Sequence, residues 1–204
     1  MPIVLSLLPA ALYWLLGRPV PMGVDVPLSA AIIYFFTFGA KAWVTEEIAW
    51  RGFALPRLEA GRSALVASII LGLLWGVWHT PLFFIAGSSQ SGWPYIGFLL
   101  FAIAESILIT WLYNNTRGSV LLATIFHAAT DAALSFSGVL FGDQPLFWLT
   151  VAIFWIAAII VVIVAGPTHL IRGKRTQQKM AEIVPPDVAD EKVPVCPISQ
   201  GHYS

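Results

Sequence analysis

Charge is scarce in this chain: 11% of its 204 residues are Asp, Glu, Lys or Arg, against 58% hydrophobic. The few charges cancel to a formal net charge of +0, so no bulk positive field draws nucleic acid to the protein. Cysteine occurs once, at Cys196, which excludes an internal disulfide and a cysteine-built zinc site. The chain has no His-Glu-x-x-His, no Gly-x-Ser-x-Gly, no P-loop and no Gly-x-Gly-x-x-Gly, so the usual soluble hydrolase and nucleotide-binding motifs are missing. It also lacks an internal repeat. The first apolar run has no basic flank and ends in Gly17-Arg18-Pro19, which argues for a short membrane helix over residues 3–16 and against a cleaved signal peptide.

Long apolar runs are abundant. They cover residues 3–16, 27–44, 63–86, 93–113, 119–141 and 146–165, separated by Gly, Pro and polar turns. A spanning helix needs about 20 mostly apolar residues, so the pattern predicts an all-α, polytopic integral membrane bundle of about six helices. The organisation expected is a first helix and connector (1–26), a core (27–141), a last membrane helix (142–166), and a basic, then Pro-rich, disordered tail (167–204). Arg57, Arg62, Arg117 and the cluster Arg172, Lys174, Arg175 and Lys179 fall on one side, and only Arg18 disagrees. By the positive-inside rule both termini then lie in the cytoplasm, in the cell membrane.

Polar side chains inside such runs are expensive, which makes each a candidate functional residue. Glu46 and Glu47 end the second run, with Arg51 four residues after Glu47; on an α-helix Glu47 and Arg51 pair on one face, while Glu46 points about 100° away. His79 lies in the third run just before Pro81, which lacks an N–H and ends or kinks the helix. Glu105 sits in the fourth run without a partner at helical spacing. His127 and Asp131 share one face of the fifth. Two histidines and carboxylates around one cavity can hold a divalent metal such as zinc, with His79, His127 and Asp131 as ligands, or a water that a glutamate deprotonates. The bland reading of each group alone is a helix-end salt bridge, a packing histidine or interhelical glue. The aromatic run at residues 34–38 is packing.

Glu46-Glu47-x-x-x-Arg51, an aromatic-x-x-x-His ending at His79, and His127-x-x-x-Asp131, in this order on separate apolar runs, resemble the CPBP family of intramembrane proteases. That family includes the type 2 CAAX prenyl proteases and bacteriocin-processing or immunity membrane proteins. The stretch Asn115-Thr116-Arg117-Gly118-Ser119 is similar to the family's approach to its third motif, and the resemblance covers roughly residues 27–141. It implies an all-helical bundle with a polar catalytic cavity inside the bilayer. It also implies Glu46 as the water-activating base, Glu47 and Arg51 as its support, and His79, His127 and Asp131 completing the site. Two positions depart from the family's common residues: Trp75 stands where phenylalanine is usual, an aromatic spacer, and Asp131 where asparagine is commoner.

The expected activity is an endopeptidase acting on a membrane-associated protein or peptide within the lipid bilayer. Glu46 deprotonates water, His79 and His127 stabilise the oxyanion directly or through a metal, and Asp131 orients His127. The alternatives are a non-catalytic immunity or scaffold protein that keeps the polar core, and an ion-coupled carrier, against which the lack of repeated halves argues. Cys196-Pro197-Ile198 is not a terminal prenylation box.

Overall fold

The computed structural model describes residues 1–20, 28–137 and 144–171. The connector at residues 21–27, the turn at residues 138–143, the basic cluster from Arg172 and the Pro-rich tail fall outside them. The described residues form helices and connecting turns: α1 (Pro2–Leu15), α2 (Leu28–Lys41), a π-helical stretch (Ala42–Ala54), α3 (Leu55–Glu59), α4 (Ala64–Trp78), α5 (Tyr95–Asn115), α6 (Val120–Phe136) and α7 (Gln144–Ala165). Three helical stretches, Ala64–Phe84, Tyr95–Asn115 and Gln144–Ala165, are long and apolar enough to cross a membrane, and α1 and α6 are shorter apolar helices. Large apolar side chains such as Ile156, Ile160, Ile163 and Val164 on α7 point outward, exposed. An all-α membrane helix bundle accounts for both features, because hydrocarbon carries no penalty for apolar surface and forbids unpaired backbone.

The helices pack as a ring. α4 touches α5, α5 touches α7, α7 touches α1, α1 touches α6, and α6 touches α2 and the π-helical stretch, which α3 joins back to α4. α5 and α6 also meet across the ring. α5 is buried over the whole stretch from Ala104 to Thr110. Small residues bring α4 and α5 together: a Cβ at Gly72 would stand 2.7 Å from the Ile103 Cα and 2.9 Å from the Ala102 carbonyl oxygen. One at Gly76 would stand 2.8 Å from Leu99 Cδ2. In lipid, where apolar burial gives helices no reason to associate, such close approach is a main source of attraction.

Helix ends follow the sequence closely. The Ser63 and Ser119 hydroxyls accept from the Val66 and Leu122 amides, capping α4 and α6. Pro81 leaves the Val77 carbonyl without its helical donor, and the Thr80 hydroxyl donates to it at 2.6 Å. α4 accordingly stops at Trp78 and a 3₁₀ turn (Thr80–Phe84) follows.

Two expectations need correction. The glutamate segment is wound as a π-helix over 13 residues rather than as an α-helix. The boundary at residue 166 also falls short of the packed body. The Thr168 and Pro167 carbonyls accept from the Ala64 and Leu65 amides at 2.8 and 3.1 Å, and the Asn114 and Asn115 side chains donate to the carbonyls of His169 and Leu170. Leu170 and Ile171 are buried, so Pro167–Ile171 forms a strap across the ends of α4 and α5, not the start of a disordered tail. Beside it, burial pushes the Glu59 carboxyl above the usual carboxylate range, and a hydrogen bond from Asn114 opposes the rise.

Candidate active site

The π-helical stretch carries both glutamates and the arginine inward. Glu46, Glu47 and Arg51 are 2%, 0% and 0% exposed. Arg51 Nη1 donates to Glu47 Oε1 at 2.7 Å, the ion pair expected from their spacing. The same oxygen accepts from His127 Nδ1 at 2.8 Å, tying the π-helical stretch to α6. Glu47 Oε2 and Arg51 Nε and Nη2 have no hydrogen-bond partner among the described residues, so this one oxygen holds the whole contact together.

That geometry reassigns a role. Asp131 Oδ2 lies 3.6 Å from His127 Nε2, beyond hydrogen-bond distance, and its side chain keeps 33% exposure. The group that orients His127 is Glu47, not Asp131. Because a carboxylate flanked by a guanidinium accepts, the His127 Nδ1 carries hydrogen and Nε2 is left toward the cavity.

His79, at the end of α4, is fixed in the same sense. Its Nδ1 donates to the Trp75 carbonyl at 2.9 Å, since a carbonyl can only accept, and its Nε2 is left over. Trp75 itself does more than space the motif: its Nε1 donates to Glu46 Oε2 at 2.6 Å. Its ring stands edge-on to both histidines, with centroids 5.2 Å from His79 and 5.3 Å from His127. The indole thus separates the two imidazoles and holds the glutamate. Sequence reasoning missed this. The signal was available in the departure from phenylalanine at a position one turn before His79, because indole brings a donor that phenylalanine lacks.

Glu46, Trp75, His79, His127 and Asp131 line one cavity of about 90 Å³, walled by Trp93, Phe98, Phe101 and Leu134. A single water needs roughly 10–15 Å³ of such space, so several fit. Five of the six motif residues, Glu46, Glu47, Arg51, His79 and His127, are buried; four of the six open on the cavity, while Glu47 and Arg51 stand behind it. Glu105 is fully buried on α5 with His127, Thr130 and Arg51 among its polar neighbours, but it does not line the cavity.

A catalytic zinc needs three protein ligands and an open position. Among the described residues no three His, Cys, Asp or Glu side chains converge in that way. Both histidines donate Nδ1–H to protein acceptors and leave Nε2 toward the cavity, the same outer hydrogen bonding that metal-ligating histidines use.

Residues 28–133 match the family described as Type II CAAX prenyl endopeptidase Rce1-like. The chain belongs to this family. The match takes in the glutamate pair, Arg51, both histidines and Asp131. The chain is also similar to CAAX prenyl protease 2 of Methanococcus maripaludis, with 40% identity over 88 residues, amounting to 40% of this chain and 32% of that protein. The aligned part thus spans about a third of that relative.

Proposed function

We propose that the protein is an intramembrane endopeptidase that cuts a prenylated, membrane-associated protein near its C-terminus by metal-free water activation. The observation that carries the reading is the grouping of Glu46, His79 and His127 around one cavity with room for water, with Glu46 Oε2 occupied by Trp75 and Oε1 left for chemistry. A water in that cavity gives a proton to Glu46, and the resulting hydroxide adds to the substrate carbonyl carbon. His127, protonated on both nitrogens and held by Glu47, donates from Nε2 to the oxyanion. His79 Nε2 orients the water. The tetrahedral intermediate collapses with loss of the C–N bond, and the proton on Glu46 passes to the leaving amine. Arg51 takes no part in proton transfer; it keeps Glu47 charged and in place. The membrane is crossed with both termini on the cytoplasmic side, as the basic residues favour.

The family name and that of the relative supply the substrate class: a C-terminal Cys-a-a-X box whose cysteine carries a prenyl chain. The purified protein in lipid is expected to release the last three residues from a farnesylated peptide ending in such a box, read by mass spectrometry. Failure to release any C-terminal fragment would overturn the reading. Chelator treatment should leave that rate unchanged. A loss of activity restored by added zinc would overturn the metal-free route while leaving the peptidase intact.

A further inference from the structure

The cavity wall carries a cation that the chemistry above does not use. Lys41 is the only Lys or Arg among the lining residues. It ends α2 five residues before Glu46. On an α-helix, five residues amount to about 500°, which would turn the lysine about 140° away from the glutamate. The π winding bonds each N–H to the carbonyl five residues back, which brings positions five apart to the same side of the helix. Lys41 and Glu46 therefore open on one cavity, the lysine exposed at its mouth and the glutamate buried at its floor.

Two carboxylates share that cavity with Lys41, yet among the described residues none lies within 4 Å of its ammonium. Glu46 is engaged by Trp75, and Asp131 faces His127. Around them the wall is Trp93, Phe98, Phe101 and Leu134, with Gln90 and Ser135 as further polar groups. An ammonium at the cavity mouth with no carboxylate in ion-pair contact, acting on Asp131 only at longer range, is a binding point for an anion that arrives with the ligand.

We propose that Lys41 binds the free α-carboxylate at the substrate's C-terminus and so sets how far from that end the chain is cut. This rests on the peptidase reading. A three-residue leaving segment spans at most about 10 Å when extended, and Lys41 stands about one helical turn from the base, so one carboxylate can reach the lysine while the third bond from the end meets Glu46.

The test pairs two farnesylated peptides of identical sequence, one ending in a free acid and one in a carboxamide. Each is given to the protein in lipid nanodiscs, as wild type, Lys41→Met and Lys41→Arg. The wild type is expected to favour the acid by about tenfold in KM, as a hydrogen bond to a charged group warrants. Lys41→Met should bring the ratio of acid to amide towards one through KM rather than kcat, and Lys41→Arg should keep most of it. Equal use of both peptides by the wild type overturns the subsite and leaves the peptidase reading standing. So does a Lys41→Met protein that loses both peptides alike. Binding of the same peptides to Glu46→Gln protein needs no turnover. A Lys41-dependent preference for the acid there, with no cleavage by the wild type, removes the peptidase reading and keeps the subsite.

Discussion

Glu46→Gln is expected to lower kcat for peptide hydrolysis by about 10²–10⁴-fold, the range contributed by a positioned general base. The substitution is nearly isosteric, and the glutamine carbonyl can still accept from Trp75 Nε1, the 2.6 Å hydrogen bond that seats this side chain. What the amide cannot do is take a proton from water. The comparison therefore isolates chemistry from folding, provided the variant's thermal midpoint in detergent matches that of the wild type. A Glu46→Gln protein that still cleaves at a tenth of the normal rate or better would sink the assignment of the base. Glu46→Ala, which also frees the indole, should be at least as inactive.

The second large effect is on stability. Arg51→Leu leaves the Glu47 carboxylate buried with only His127 as a partner, and Glu47 and Arg51 are both fully inaccessible. Removing one member of a buried ion pair costs about 3–5 kcal/mol, mostly because the other charge is stranded. Denaturant titration in micelles is expected to show a loss of that order for Arg51→Leu. The double variant Glu47→Leu, Arg51→Leu should lose much less than the two single losses added together. An Arg51→Leu protein within 1 kcal/mol of wild type would mean that the pair is not what holds the π-helical stretch against α6.

The architecture was legible because hydrophobic run length is a direct consequence of the bilayer's thickness, and Gly, Pro and Ser marked the helix ends. The ion pair between Glu47 and Arg51 followed from spacing alone, since residues four apart remain neighbours in either winding. The π winding did not follow. The choice between bonding four and five residues back is made by what the side chains meet, here His127 on α6 and Trp75 on α4, and neither contact is local in sequence. The same limit explains the misplaced role of Asp131. A one-turn separation on α6 put it next to His127, but the closer oxygen comes from Glu47, 80 residues away. By its ring alone Trp75 is an aromatic spacer; its N–H is what makes it a partner of Glu46. The strap at Pro167–Ile171 was assigned to the tail because its composition is that of a loop; its order comes from two orphan amides at the start of α4 and two asparagines at the end of α5.

The close contact of α4 with α5 has a consequence for motion. Where a Cβ would stand 2.7 Å from the neighbouring backbone, there is no side-chain layer to compress or rearrange, so the two helices move as one body. Trp75 and His79 ride on that body. A joint that opens the cavity then lies elsewhere, between α2 with its π-helical continuation and the pair formed by α4 and α5. Opening there swings Lys41 and Glu46 away together while the indole and His79 stay behind, and closing rebuilds the hydrogen bond between Trp75 and Glu46. Glu46 would be seated by the same movement that shuts the door.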